Sequence, residues 1–364
     1  MLLAHNIAMR PNRKWILLET AFDGLGAMGY RRSANGVSLM SPLVTIVIVP
    51  REQFSRARLS LQSVLDTTEH DCPIIYVDGN SPPDLARDLE AASDRLLLIR
   101  KDHYLPANTA RNLALAHVRT RYVVFLDNDV LVWPGWIASL VKCAEETGAW
   151  VVGPLYCIGS PDSQEVHSAG ADTSITEENG RRRIHELNHH CGKPAAEVRA
   201  LVGRAPCDQM EFHCLLARTE AFDRIGPLDE RLLVAFDHVD FCMAVRNANH
   251  QVYLESDATI TYLAPPPLAW SDLPFFLLRW SETWFQSSKA HFCEKWQLDP
   301  GDAVFQDHEN YRVQHRARML TTSVQVNRFV ELTLGKILEK TLIKNLAQRY
   351  PPQLDGRVPR AKIS

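Results

Sequence analysis

Residues Leu43–Val49 read LVTIVIV, a continuous apolar and largely β-branched run. A strand with one wet face alternates apolar and polar residues; a run apolar at successive positions is covered on both faces, as in a parallel sheet sandwiched by helices. The next hundred residues keep that rhythm of strand and helix. Arg56–Leu65 suits a helix, Ile74–Val77 a second strand, Asp84–Ala92 a helix, Leu96–Ile99 a third strand, Asn108–His117 a helix and Tyr122–Leu126 a fourth strand. After Pro134-Gly135, the residues Ile137, Leu140, Val141 and Ala144 mark one helical face within Trp136–Thr147, and Trp150–Val152 is a further strand. Strands alternating with helices predict a mostly parallel α/β sheet, whose ligands bind beyond the carboxyl ends of the strands. Functional residues are therefore expected just after Val49, Val77 and Leu126.

The chain of 364 residues exceeds what one small core supports, so a large domain with a smaller appendage is expected. We divide it into an N-terminal extension (1–41), a large α/β region (42–265) and a C-terminal helical region (266–364). The extension carries scattered Gly24, Gly26, Gly29 and Gly36, and the last region opens after Pro265-Pro266-Pro267 with Trp270, Trp280, Trp284 and Trp296. A final helix is expected over Val324–Leu346. The stretch from Ser160 to Gln209 is polar and histidine-rich and reads mostly as loop. A net charge of -3 argues against a nucleic-acid partner. Eight dispersed cysteines without a Cys-x-x-Cys pair argue against a zinc ribbon and suit buried thiols in a reducing compartment. No apolar run approaches the ~20 residues of a membrane span, and Met1–Arg10 is a poor signal peptide. A cytoplasmic location is expected, with peripheral attachment to the inner face of the membrane left open. The segment Trp270–Trp280 is either a helix packing its aromatics inward or a surface lying on lipid.

Four constellations carry possible chemistry. Asp127-Asn128-Asp129 follows the fourth strand, and such carboxylates can hold a hard divalent cation, Mn²⁺ or Mg²⁺, whose shell phosphate and water complete; a solvated acidic turn is the bland alternative. Asp78 ends the second strand and could accept from a nucleobase or ribose, or simply close an Asx turn toward Ser81-Pro82. Arg111 stands early in a helix and could fork onto phosphate oxygens, or merely be solvated. Phe236-Asp237-His238-Val239-Asp240-Phe241 could supply a general base, or begin a helix whose positive end favours acids.

Their order is more informative than any one of them. Val44–Pro50, Tyr76-Val77-Asp78-Gly79-Asn80-Ser81, Ala110-Arg111-Asn112, Phe125–Asp129, Ile225–Glu230 and Asp237–Phe241 together resemble the inverting glycosyltransferases of family 2. The resemblance covers roughly 42–265. It implies a GT-A fold, a Rossmann-like mostly parallel sheet flanked by helices, here with a C-terminal helical appendage. It also implies transfer of a sugar from a nucleotide-diphosphate donor, typically UDP-linked, to a hydroxyl of a glycan, lipid-linked or protein acceptor in glycan or polysaccharide synthesis. By the same resemblance Pro50 and Arg51 line the nucleotide pocket, Asp78 reads the base, and Arg111 meets the pyrophosphate. Asp127 lies by ribose or metal, Asp129 binds the metal, and Asp229-Glu230 sit near the acceptor.

Two departures stand out. The family usually carries Pro-Thr-Tyr-Asn after the first strand, where this chain has Pro50-Arg51-Glu52-Gln53. The usual Glu-Asp-x-Asp segment is here Asp237-His238-Val239-Asp240, so a histidine occupies the base position. Either His238 is the base, oriented by Asp237 or Asp240, or Asp237 reaches the acceptor itself. A rival class is a catalytically impaired protein that binds a nucleotide sugar; a nucleotidyltransferase would want a glycine-rich loop after the first strand. His291 could complete a metal shell or pack as a helix residue, and His167 and His213 could border the acceptor pocket. His185, His189 and His190 lack zinc-site spacing.

Overall fold

The computed structural model describes residues 42–69, 71–263 and 268–324. β1 (Val44–Val49) is buried along its whole length, as its composition requires. α1 (Ala57–Thr67), β2 (Ile74–Gly79), α2 (Pro83–Glu90), β3 (Leu96–Lys101), α3 (Ala107–Leu115) and β4 (Tyr122–Asp127) then alternate, followed by the short β5 (Val130–Val132). α4 (Trp136–Thr147) buries Trp136, Leu140, Cys143 and Ala144. Ile137 and Val141, expected on its inner face, lie at the margin of the core. β6 (Val151–Ile158) runs well past Val152.

The stretch Ser160–Gln209 is largely regular structure, which corrects the expectation of loop. It forms β7 (Val166–Ser168), β8 (Ala171–Glu178), β9 (Arg181–Asn188), α5 (Ala195–Val202) and β10 (Arg204–Cys207). β8 and β9 make a separate antiparallel hairpin turning at Asn179-Gly180, both with positive φ (53° and 73°). Asn-Gly is the preferred pair for such a turn. The strands were hard to read because mostly polar side chains fill them; only Ala171, Thr173 and Ile184 of the pair are buried.

β11 (Cys214–Arg218), α6 (Glu220–Ile225), α7 (Asp237–Asn247) and β12 (Val252–Tyr262) complete the α/β region, and α8 (Leu273–Arg279), α9 (Glu282–Trp296) and α10 (Ala303–Val324) follow. The main sheet runs β10-β12-β6-β11-β4-β1-β2-β3, with β5 on β12 and β7 on β6. β4, β1, β2 and β3 are mutually parallel, as are β6 and β12; β11 enters antiparallel between β4 and β6. The sheet is thus mixed, with its β4-β1-β2-β3 half entirely parallel. The chain leaves β1 toward β2 on one side and returns to β4 on the other, so β1/β4 is the switch point where such sheets open a crevice.

The C-terminal helices pack with their aromatics inward. Phe275, Phe276, Leu278 and Trp280 are buried, and Trp270 alone of that segment's large side chains is strongly exposed. Phe236 stacks on Phe292 at 5.0 Å, joining α7 to α9. Glu52, fully buried after β1, accepts from Tyr262 Oη and Trp280 Nε1, and Arg312 donates to the Trp280 carbonyl at 2.9 Å. Glu52 thereby ties the loop after β1 to the C-terminal helices. Among the described residues no helix is long and apolar enough to cross a membrane. The expected extension 1–41, the boundary at 265/266 and the helix beyond Val324 lie outside the described residues.

Candidate active site

The carboxyl ends of β1 and β4 lie side by side, Val49 opposite Asp127. The turn after β4 is clipped to the loop after β1: the Asn128 amide donates to the Val49 carbonyl at 3.0 Å, and the Arg51 amide donates to Asn128 Oδ1 at 3.0 Å. Asp127 and Asp129 are both fully buried, yet their surroundings differ. Asp127 has Arg51 and Arg111 each at 3.4 Å and His213 Nδ1 at 3.1 Å. Burial pushes its carboxyl up, but the Arg51 charge, the His213 hydrogen bond and Arg111 outweigh this and hold it below the usual range.

Asp129 has no such support. Neither carboxylate oxygen has a hydrogen-bond partner. Burial, with the charges of Asp127 and Glu52, raises its carboxyl well above the usual range, against the pull of Arg51 and Arg279. A buried, unpaired carboxylate is costly and marks a place for a missing cation or proton. Arg51 and Arg279 each keep a buried Nε without a partner. Arg279, at the end of α8, is almost completely buried, and desolvation together with the Arg51 charge lowers its pKa. Two arginines crowded together with unspent donors are a cradle for an anion. Arg279 was not anticipated from sequence; it arrives some 150 residues after the acidic turn, so no local pattern pairs them.

On the other side of the crevice, α7 begins abruptly. Phe236 sits in the left-handed region at φ 66°, a strained conformation for an aromatic residue, locked by its stacking on Phe292. The kink sets Asp237 and His238 at the helix start. Asp237 accepts from Arg111 at 2.8 Å and lies 3.4 Å from His238 Nδ1. Burial raises the Asp237 carboxyl, but His238 and Arg111 overcome it and hold it far below the usual range. Burial lowers the His238 imidazole, and Asp237, Glu211 and Glu186 outweigh that and raise it. Arg111, fully buried over the Phe212 ring at 3.9 Å, thus bridges Asp127 and Asp237. Its terminal nitrogens are engaged by these carboxylates and Asn108, while its Nε, like those of Arg51 and Arg279, is buried without a partner.

Asp240 points elsewhere, accepting from Lys295 and Trp296 Nε1, each at 2.8 Å. Asp229 is held by His291 at 2.8 Å and Lys295 at 3.0 Å, while Glu230 accepts from Thr109 and Asn112. These contacts fasten α9 and α3 together, and they give His291 a packing role. Asp78 closes the Asx turn: its two carboxylate oxygens accept from the Ser81 amide and hydroxyl, each at 2.9 Å. Pro50 is buried against Gly79, where an added Cβ would come within 3.3 Å of the ring. His167 and His213 do meet, and Glu211, missed from sequence, joins them. Its carboxylate is 3.2 Å from His167 Nε2 and 3.1 Å from His213 Nε2. His185 and His189 instead contact Thr176 and Asp172.

Residues 45–199 match the profile described as glycosyl transferase family 2. The chain is 28% identical over 218 residues to the "Uncharacterized protein y4gI" of Sinorhizobium fredii (strain NBRC 101917 / NGR234), across 58% of this chain and 23% of that protein. It therefore spans about a quarter of the length of that curated relative. Among solved structures, GalNAc-T7 with UDP, GalNAc and Mn²⁺ aligns over 77% of this chain and 57% of its own, at 15% identity and a TM-score of 0.48. S. aureus TarS 1–349 in complex with UDP-GlcNAc aligns over 85% and 80%, at 12% identity and a TM-score of 0.45. Together with the ordered motifs at the strand ends, the profile match marks residues 45–199 as a glycosyl transferase family 2 domain.

Proposed function

We propose that the chain transfers a sugar from a nucleotide-diphosphate donor, UDP-linked by the family resemblance, to an acceptor hydroxyl with inversion. The catalytic region is taken as 42–265, completed by Arg279 from the helical region. The observation that carries this reading is the Asp129 carboxylate, buried at the switch point with both oxygens unpartnered and two arginines nearby in charge. Asp129 is the residue that would hold Mn²⁺ or Mg²⁺, which supplies Lewis-acid stabilisation to the leaving diphosphate when bound. Asp127, already neutralised by three partners, serves to position Arg51 and Arg111 rather than to ligate.

On the acceptor side His238 is the base. It accepts the hydroxyl proton as the acceptor oxygen attacks the anomeric carbon, and the bond to the diphosphate oxygen breaks on the opposite face. Asp237 stabilises the imidazolium so formed, and Arg111 holds Asp237 in place. Arg51 and Arg279 meet the charge that develops on the departing diphosphate. Asp240 takes no part, being committed to Lys295 and Trp296.

Calorimetric titration of UDP, GDP and dTDP with and without Mn²⁺, on wild type and Asp129→Ala, tests the donor half. Metal-dependent binding of one nucleotide, lost in the variant, is expected. His238→Ala should keep that binding and lose about 10²–10⁴-fold in transfer rate. Full turnover in His238→Ala would remove the base assignment, and tight binding without turnover in wild type would favour a protein that only binds nucleotide sugars. The anomeric configuration of the product by NMR decides inversion.

A further inference from the structure

One side-chain cluster is unused by this reaction. His167 on β7, with Glu211 and His213 just before β11, bring one ligand atom each within 4.8 Å of one another. The Glu211 carboxylate lies 3.1 and 3.2 Å from the two Nε2 atoms. Ligands ~2.0–2.1 Å from a common ion are separated by roughly 3.0–3.4 Å at octahedral to tetrahedral angles, so these edges have the span of a coordination shell. The two rings are 5.5 Å apart and nearly perpendicular.

The hydrogen accounting at His213 adds an independent argument. Its Nδ1 is 3.1 Å from Asp127 and its Nε2 is 3.1 Å from Glu211. A neutral imidazole has one N–H. If that hydrogen goes to Asp127, the Nε2 lone pair confronts a carboxylate oxygen, and a cation between them resolves the conflict. A carboxylate on the far nitrogen of a metal-bound histidine is the usual way such a ring is oriented. His213 is buried and stacks on Tyr262 at 4.2 Å, so the ring cannot swing away without repacking. His167 and Glu211 are partly exposed, at 23% and 21% of their side chains, which leaves a path for an ion and room for further ligands.

We propose that His167, Glu211 and His213 form a binding site for a divalent transition ion of the Zn²⁺ class, separate from the cation that the donor diphosphate brings to Asp129. The donor set separates the two sites chemically. Two imidazoles and one carboxylate suit zinc and its neighbours, whereas an all-oxygen carboxylate and phosphate shell suits Mg²⁺ or Mn²⁺. Three protein ligands with an open position is the composition of a reactive zinc site rather than a closed structural one.

The test needs neither donor nor acceptor. The chain is stripped with chelator, dialysed against Zn²⁺ in the presence of excess Mg²⁺ and without nucleotide, desalted, and its metal measured by mass spectrometry. One zinc per chain is expected in wild type and in Asp129→Asn. His167→Gln and Glu211→Gln should each weaken zinc binding by about 10–100-fold, at least the loss that outer-shell changes cause. Co²⁺ should give a visible absorption band in wild type that His167→Gln loses, with thermal melts verifying that the variants fold. No retained zinc in wild type would overturn the proposal. Zinc kept in His167→Gln, or lost in Asp129→Asn, would overturn the separate site. Nucleotide binding reports on Asp129 and its neighbouring arginines rather than on this cluster, so failure here leaves the donor reading standing.

Discussion

Asp129→Asn should make the free protein more stable while abolishing its response to donor and metal. The carboxylate is fully buried, has no hydrogen-bond partner, and faces the charges of Asp127 and Glu52. A buried polar group without partners costs about 1–3 kcal/mol, more when charged. Asparagine keeps the volume and removes the charge but leaves a neutral amide to satisfy, so a gain of about 1–2 kcal/mol is expected. At about 2 °C per kcal/mol for a unit of this size, the melting temperature should rise by about 2–4 °C at pH 8. The sign with pH follows from the raised carboxyl. The unfolded chain releases this proton near pH ~3.9, the folded chain only at higher pH. Wild-type stability is therefore lost as pH rises through that interval, and the gap between variant and wild type narrows as pH is lowered. Thermal melts from pH 5 to 8, with and without Mn²⁺ and UDP, read all of this. At a ligand concentration 100 times its Kd, wild type should gain about 2.7 kcal/mol and the variant nothing. A variant that melts at or below wild type at pH 8, or a gap that stays constant on acidification, would refute the account of Asp129 as an unpaired cation ligand.

Two further outcomes rest on the same geometry. The donor-cleavage rate, monitored by release of nucleoside diphosphate, should rise with pH through the His238 value, above the ordinary ~6.5 of histidine. Asp237→Asn should move that limb to lower pH, because burial then acts on the imidazole with less opposition; an unmoved limb would separate Asp237 from the base. Arg279→Gln should weaken UDP by about tenfold to a hundredfold, the loss of one or two hydrogen bonds to a charged group, and leave uridine unchanged. Equal losses for both ligands in titration calorimetry would place Arg279 away from the diphosphate.

The parallel half of the sheet was legible because it is written locally. Leu43–Val49 and Tyr122–Leu126 are apolar at successive positions, and only a doubly covered strand accommodates that. The strand-end carboxylates were legible for the same reason: Asp78 and Asp127 lie at the carboxyl ends of β2 and β4 and Asp129 in the turn after β4, so topology alone delivers them to one edge. The β8–β9 hairpin was hidden because its polar strands bury little and their pattern carries weak periodicity; the Asn179-Gly180 pair that makes its turn was not read as one.

Roles within the acidic turn were a different matter. Asp127 and Asp129 are two residues apart and chemically identical in the chain. One becomes neutralised by Arg51, Arg111 and His213, and the other is left bare, because Asp127 ends the strand while Asp129 lies in the turn beyond it, and the three partners come from distant parts of the chain that reach only the first. Asp237 and Asp240 likewise part company once Arg111 claims one and Lys295 the other. Local periodicity specifies which faces of strands and helices are buried, since burial of apolar area is additive and short-ranged along the chain. It carries no information on which charges meet across a crevice, since those energies depend on through-space distance and burial. Arg279 beside Arg51, and Glu211 between two histidines, exist only once the sheet has closed and the C-terminal helices have packed over its edge.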